Sequence, residues 1–249
     1  MSKLQKVSII VIGNEILSGR TIDKNVNFIA KRCDKIGLNL FEVRIIPDEK
    51  LVIKDTVLEL SKKSDYVFTT GGIGPTHDDI TTESIALAFG RKLEINSEAV
   101  KRMKVYYKNM KVEFNKARYK MATIPEGAEL IDNPVSAAPG FILTNVYVLP
   151  GVPSILQEMF MTLEHKISSG IKMLVKNIKV KSPEGEIADI LEIIQGRYRE
   201  VTIGSYPFFK PPDIGSMIVL RSLNKNKIQQ AFIELLEEFQ NAKILYEFD

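Results

Sequence analysis

The residues best suited to chemistry lie in one run, Thr69-Thr70-Gly71-Gly72-Ile73-Gly74-Pro75-Thr76-His77-Asp78-Asp79-Ile80-Thr81. It follows Tyr66 to Thr70, which reads as a buried strand, and leads into Ile80 to Phe89, which reads as a helix. Three glycines let the backbone turn sharply and approach a ligand closely. Free N–H groups at the start of the helix, helped by its dipole, suit phosphate oxygens. The hydroxyls of Thr69, Thr70 and Thr76 add short donors. Asp78 and Asp79 place carboxylates beside such a phosphate, which makes sense where Mg²⁺ or a similar ion bridges them. Read blandly, the same run is a strand-to-helix turn in which Asp78 or Asp79 caps the helix. It is not a Walker A loop, since no Gly-Lys-Ser/Thr follows, and it does not fit Gly-x-Gly-x-x-Gly. His77, inside the run, is an open candidate for ligand contact.

Two further acidic positions follow strands of their own. Gly13-Asn14-Glu15 comes after Val7 to Ile12, and Asp48 comes after Leu40 to Ile46. Glu15, Asp48 and Asp79 are therefore expected to converge on one cation, although each alone reads as a solvated acid or a cap. A third pattern is Asn133-Pro134-Val135-Ser136-Ala137-Ala138-Pro139-Gly140-Phe141 followed by Leu149-Pro150-Gly151-Val152-Pro153. Small residues and fixed prolines make stiff loops against which a planar ring can lie; they are equally turns between short strands. Residues 101–120 hold eight Lys or Arg, from Lys101 to Lys120, against Glu113 alone, with Tyr106, Tyr107, Phe114 and Tyr119 interleaved. That mixture suits nucleic acid or a small anionic nucleotide, but a solvated helix face over core aromatics explains it more plainly. Met103 and Met110, at helical spacing, are expected in the core.

The elements that must position these residues alternate strand with helix three times over positions 7–89, the signature of a doubly wound, mostly parallel α/β sheet. Such sheets bind ligands at the carboxyl ends of their strands, where loops 13–21, 47–50 and 71–79 fall. Asp23 is placed to cap the helix that carries Val26, Ile29, Ala30, Cys33 and Ile36, and Gly37 ends it. Helical stretches near 97–121, short strands near Glu129, Phe141 and Val146, and a helix from Val152 to about His165 complete a first domain, 1–170. A smaller domain, 171–249, reads β-α-β-β-α-β, an α+β ferredoxin-like order. Its strands end at Ile178–Lys181, cover Val201–Ser205 and Ser216–Leu220, and close at Ile244–Tyr246; its helices are Glu184–Gln195 and Lys225–Phe239.

Composition removes several classes. The chain has 249 residues, 45% hydrophobic and 26% charged, enough for a sizeable core without disulfides or structural metal. Lys plus Arg exceed Asp plus Glu by 34 − 31 = 3, too few to imply a nucleic-acid or membrane partner. A single cysteine, Cys33, forms no internal disulfide and no Cys-based zinc site, which fits a cytoplasmic location. No apolar run approaches the roughly 20 residues of a membrane span, and no signal peptide is expected. With only two histidines, any metal is expected on carboxylates, which favours hard cations.

Taken together, several stretches resemble the molybdopterin-binding (MoCF) superfamily and, within it, the CinA-like branch, named for the amino-terminal part of competence/damage-inducible protein A. They are Ile12-Gly13-Asn14-Glu15-Ile16-Leu17-Ser18-Gly19, Asp23 with Asn27, Thr70 to Thr81, Asn133-Pro134, Ala138 to Phe141 and Leu149 to Pro153. Gly204-Ser205-Tyr206-Pro207 resembles the small domain that follows in that branch. Position 136 is Ser where many relatives have Gly.

The resemblance implies a pterin or nucleotide pocket over the glycine loop, with Gly13, Asn14, Thr70, Gly71, Gly72, Gly74, Pro75, Thr76, Asn133, Pro150 and Gly151 around the ligand. It implies acids at Asp48 and Asp79 acting with a divalent ion (Mg²⁺, Mn²⁺ or Co²⁺), with Asp78 and Glu15 as further metal candidates. The implied activity is hydrolysis of ADP-ribose-type pyrophosphates; the alternative is a non-catalytic molybdopterin- or nucleotide-binding protein of cofactor biosynthesis. A similar domain is fused to eukaryotic FAD synthase. The chain is expected to lack the nicotinamide mononucleotide deamidase domain of full-length CinA proteins. The expected partner is a small nucleotide or pterin, not nucleic acid or a membrane, and a homo-oligomer is expected.

Overall fold

The structure is a computed structural model that describes residues 4–167, 173–211 and 213–248. The chain divides into two compact units, Met1–Gly170 and Ile171–Asp249. In the first, the β-branched run at the start becomes β1 (Lys6–Ile12), buried from Val7 onward. It is followed by a one-turn helix α1 (Asn14–Leu17), then α2 (Asn25–Ile36), β2 (Asn39–Ile46), α3 (Lys50–Lys63), β3 (Tyr66–Thr70) and α4 (Thr81–Ala88). β1 pairs in parallel with β2 on one side and β3 on the other. A strand flanked on both edges and covered on both faces is buried at every position, which is why the run does not alternate; Ser8, polar and fully buried within it, shares a hydrogen bond with Ser64.

Beyond α4 come β4 (Leu93–Ile95), α5 (Ser97–Asn109), α6 (Lys116–Lys120) and β5 (Thr123–Pro125), with β4 and β5 forming a small antiparallel pair. The chain then returns to the main sheet as β6 (Glu129–Ile131), β7 (Gly140–Leu143) and β8 (Val146–Leu149), and closes the unit with α7 (Pro153–Leu163). The main sheet has the order β2-β1-β3-β8-β7-β6, with its first four strands parallel and β7 antiparallel to both neighbours. Apolar residues of α2 and α7 fill one face, around Ile9, Phe68 and Phe160. Those of α3 and α4 fill the other, around Ile10, Val67 and Val148. Helices on both faces of a mostly parallel sheet are the doubly wound arrangement the sequence implies.

The helical stretches expected near 97–121 are α5 and α6. α5 ends at Asn109, and Lys111 adopts φ 55°, so the chain reverses before α6. Met103 is fully buried, but Met110 stands past the end of α5 and is 58% exposed, which corrects its placement in the core. The aromatics form a local cluster: Phe114 and Tyr119 centroids lie 4.6 Å apart, and the Arg118 guanidinium sits 4.3 Å from the Tyr107 ring. Arg102 pairs with Glu98 and Asp132. The basic residues named here are spent on local contacts, closer to the solvated-face reading than to a continuous basic groove.

The second unit runs β9 (Leu174–Val180), α8 (Glu184–Arg197), β10 (Thr202–Lys210), β11 (Asp213–Ser222), α9 (Lys225–Asn241) and β12 (Tyr246–Glu247), in an antiparallel sheet of order β10-β11-β9-β12. This is the split-βαβ order. β10 extends past Pro207, where the sequence suggests a stop, because β10 is an edge strand and a proline there forfeits no ladder bond on its open side. The last strand begins at Tyr246 rather than Ile244.

Candidate functional site

Parallel strands deliver their carboxyl ends to one edge of the sheet, and the loops there hold most of the expected site. β1 ends at Ile12, and the Asn14 N–H donates to Asp48 Oδ2 at 2.8 Å, so the loop after β1 is tied to the loop after β2. Asp48, which is half-buried, thus has one oxygen committed to the backbone. Next to it β3 ends in Gly71 and Gly72, at φ 101° and 68°, both in the region that side chains rarely enter. Space as well as torsion excludes larger residues. A Cβ on Gly71 would lie 2.2 Å from the Ile12 carbonyl oxygen, and one on Gly72 would lie 2.1 Å from Thr81 Oγ1. Thr81 fastens the loop by donating its hydroxyl to the Gly71 carbonyl at 3.0 Å and its N–H to the Gly72 carbonyl at 3.0 Å. Gly71 N–H donates to the Leu149 carbonyl at 3.1 Å, which brings the end of β8 alongside. Gly151 follows so closely that a Cβ on it would be 3.4 Å from Gly71 Cα. Gly13, Asn14, Asp48, Gly71, Gly72 and Gly151 are therefore brought together, with Pro150 half-buried beside them.

The acids of the glycine loop behave differently from caps. α4 is capped by Ile80, with no side-chain hydrogen bond, which corrects the capping role for Asp78 or Asp79. Asp79 Oδ2 instead accepts from the Thr76 N–H at 2.8 Å and the Thr76 hydroxyl at 2.5 Å, folding residues 76–79 into a closed turn. The exposed Asp78 carboxyl is held below its ordinary value by hydrogen bonding from Thr76, then by its own backbone, with His77 and Lys120 adding positive charge. Lys120, from α6, donates to the Thr76 carbonyl. Gly74, Asp79, Glu83 and Lys120 help line a cavity of about 80 Å³. That is well below the roughly 300 Å³ at which drug-sized ligand pockets begin, so a ligand of that size does not fit inside it.

Three expectations are revised. Thr69 and Thr70 are 0% and 2% exposed, so their hydroxyls lie within the sheet and do not reach a ligand; Thr76 is the exposed one. Asn133 spends its amide on its own loop: Nδ2 donates to Ser136 Oγ and the Ala138 carbonyl, and Oδ1 accepts from the Val135 and Ser136 N–H groups. Its geometry shapes the 133–140 turn, and Ser136 takes part in that network. The expected convergence of Glu15, Asp48 and Asp79 is not present as a three-acid cluster. Among the described residues no three His, Cys, Asp or Glu side chains are grouped to hold a metal ion. Glu15 and Asp78 are exposed and Pro75 is exposed beside them.

One site residue escapes a sequence reading. Asn27, one of the residues that carry the resemblance, is exposed, whereas Asn25 is 97% buried and its Nδ2 donates to the Gly151 carbonyl at 2.8 Å. Its Oδ1 is buried with no hydrogen-bond partner. The signal was available: Asn25, Ile29 and Cys33 are the buried stripe of α2 at i, i+4 and i+8, so a polar residue sits where the helix turns toward the sheet. The N-cap of that helix is Lys24, with no side-chain hydrogen bond of its own, and Asp23, one residue earlier, accepts from the Val26 N–H at 2.8 Å.

Comparison with known proteins puts this geometry in context. Residues 8–168 match the model of the probable molybdopterin binding domain, a span that includes every loop described above. The chain belongs to the molybdopterin-binding superfamily, in its CinA-like branch. A protein of Archaeoglobus fulgidus is 37% identical over 235 residues, covering 94% of this chain and 98% of that one. A CinA-like protein of Thermotoga maritima is 33% identical over 196 residues, covering 77% of this chain but 48% of that one, so this chain spans about half of that relative. Among solved structures, the protein CinA with unknown function from Thermoplasma acidophilum superposes with a TM-score of 0.60 at 33% identity, over 65% of this chain and 98% of that one. Residues 172–247 match the middle domain of FAD synthase. No helix among the described residues is long and apolar enough to cross a membrane.

Proposed function

We propose that this protein hydrolyses the pyrophosphate bond of a nucleotide such as ADP-ribose, with a divalent metal ion, across the loops at the carboxyl ends of β1, β3 and β8. The observation that carries the reading is the Gly71–Gly72 turn. It is a tight strand-end turn that admits no side chain, with Gly71 buried and Gly72 half-buried, and it lies between two acid-bearing loops. Gly72 and Gly74 let phosphate oxygens approach the main chain, with Gly71 buried beneath them and Thr76 exposed beside them. Gly13, Asn14, Pro150 and Gly151 supply the rim against which a base or pterin ring would lie. The match of the second unit to a domain of FAD synthase supports a nucleotide ligand.

The donor set suits a hard cation: Asp48 is half-buried and tied to the loop after β1, Asp79 is tied to Thr76, and Asp78 and Glu15 are exposed acids of the same loops. Mg²⁺ is commonly held by one or two carboxylates together with substrate phosphates and water, so a preformed three-acid cage is not required. When bound, Mg²⁺, Mn²⁺ or Co²⁺ would neutralise phosphate charge and activate a water. The residues of the chain hold the pyrophosphate in place for that water, whose addition yields AMP and ribose 5-phosphate. The test is chromatographic. Purified protein incubated with ADP-ribose, FAD or NAD should release AMP in the presence of one of these metals and release none with chelator.

A second reading, a protein that binds a pterin or nucleotide without turnover, is favoured by one observation: Asp48 and Asp79 each spend an oxygen on the protein's own backbone. It predicts thermal stabilisation by the ligand with no AMP under any metal.

A further inference from the structure

The loops at the strand ends are rich in acid and poor in base. Glu15, Asp48, Asp78 and Asp79 surround the glycine turn, and a pyrophosphate adds further negative charge. Lys50, at the end of the loop after β2, is paired with Glu83 at 3.2 Å, and a further cation reaches this place from elsewhere in the chain. Lys120, the last residue of α6, lies 44 positions beyond Thr76, and its Nζ donates to the Thr76 carbonyl. The Thr76 peptide is thereby held from both sides, its N–H by Asp79 at 2.8 Å and its carbonyl by Lys120. Lys120 also lines the cavity of about 80 Å³ together with Gly74 and Asp79. It is half-buried, so its charge is less screened than that of a free surface lysine. A neutral carbonyl is a weak partner for an ammonium group compared with a phosphate oxygen, and Nζ has three donors, so it can keep the first contact while making the second.

We infer that Lys120 is the phosphate-contacting cation of this site. Its ammonium group pairs with the phosphate chain of a bound nucleotide and links α6 and the β4–β5 pair to occupancy of the glycine loop. This rests on the nucleotide-binding reading above.

The experiment compares wild type with Lys120→Gln, Lys120→Met and Lys120→Arg by calorimetric titration against adenosine, AMP and ADP-ribose. Gln retains a donor for the Thr76 carbonyl but has no charge; Met has neither. A charge-assisted hydrogen bond contributes enough that its loss should weaken AMP and ADP-ribose binding by about tenfold or more in both neutral variants. Adenosine, which has no phosphate, should bind wild type and Lys120→Gln alike, and Arg should restore most of the lost affinity. The affinity of wild type for ADP-ribose should also fall with added salt more steeply than that of Lys120→Gln. A purely loop-holding role gives a different result: Lys120→Gln behaves as wild type, or all three ligands weaken equally in Lys120→Met, and either outcome overturns the inference. Wild type that binds neither phosphate-bearing ligand overturns the nucleotide reading itself, and the two failures are told apart by that first titration.

Discussion

Gly71→Ala probes the turn on which the site is built. The new Cβ would stand 2.2 Å from the carbonyl oxygen of Ile12, and Gly71 has φ 101°. Ile12 belongs to β1, a strand paired on both edges, so the clash cannot be relieved by moving a flexible side chain. A left-handed backbone costs a non-glycine residue about 1–2 kcal/mol. Forcing a methyl group into a packed interior costs about 1–3 kcal/mol. The sum is about 2–5 kcal/mol, which for a unit of this size lowers the melting temperature by about 4–20 °C. Gly127→Ala is the matched control, because Gly127 also has a positive φ, 78°, but nothing lies within 4 Å of its added Cβ. It should lose only the torsional part, about 1–2 kcal/mol. Scanning calorimetry of wild type and both variants reads the difference. A Gly71→Ala protein that melts no lower than Gly127→Ala would refute the claim that close backbone approach, rather than torsion alone, demands glycine at this position.

Other perturbations give separable outcomes. Asp48→Asn keeps an oxygen for the Asn14 N–H, so the melting temperature should stay near wild type while metal-dependent AMP release falls by about 10–100-fold; unchanged turnover would take Asp48 out of the reaction. Arg44, followed by Lys63, holds the Glu59 carboxyl down at about 2, against an ordinary 4.5. A depressed carboxyl contributes stability above its unfolded value and loses it as pH falls through the folded one, so the melting advantage of wild type over Glu59→Gln should shrink between about pH 5 and pH 2. An advantage that does not change with pH would refute that pairing. Burial pushes the Cys33 thiol up to about 12, so native protein should resist iodoacetamide at mildly alkaline pH and react once unfolded, as read by mass spectrometry.

Much of this arrangement is legible in the residues because it is carried by local pattern. The run of β1 and the glycines after β3 announce a parallel sheet and the loops at the carboxyl ends of its strands. What escapes is short or remote. β4 and β5 have three residues each and β4 is exposed throughout, too little for periodicity to register. The reversal at Lys111 depends on one torsion that no residue type enforces. Asp79 reads equally well as a cap or as a loop acceptor, and only the position of Thr76 decides between them. Asn25 is set apart from Asn27 only by helical phase, which no single residue type announces. The contact of Lys120 with Thr76 joins residues far apart in the chain, beyond what a linear reading can pair.

The central claim is that the glycine turn and its flanking acids form a working pyrophosphate site. Its most direct test is AMP release from ADP-ribose by wild type and by Asp79→Asn in the best metal. Asn at this position can still accept from Thr76, so the loop should stay closed and the melting temperature should hold. The account predicts metal-dependent AMP from wild type and a sharp loss in the variant. Equal AMP from both proteins would contradict it.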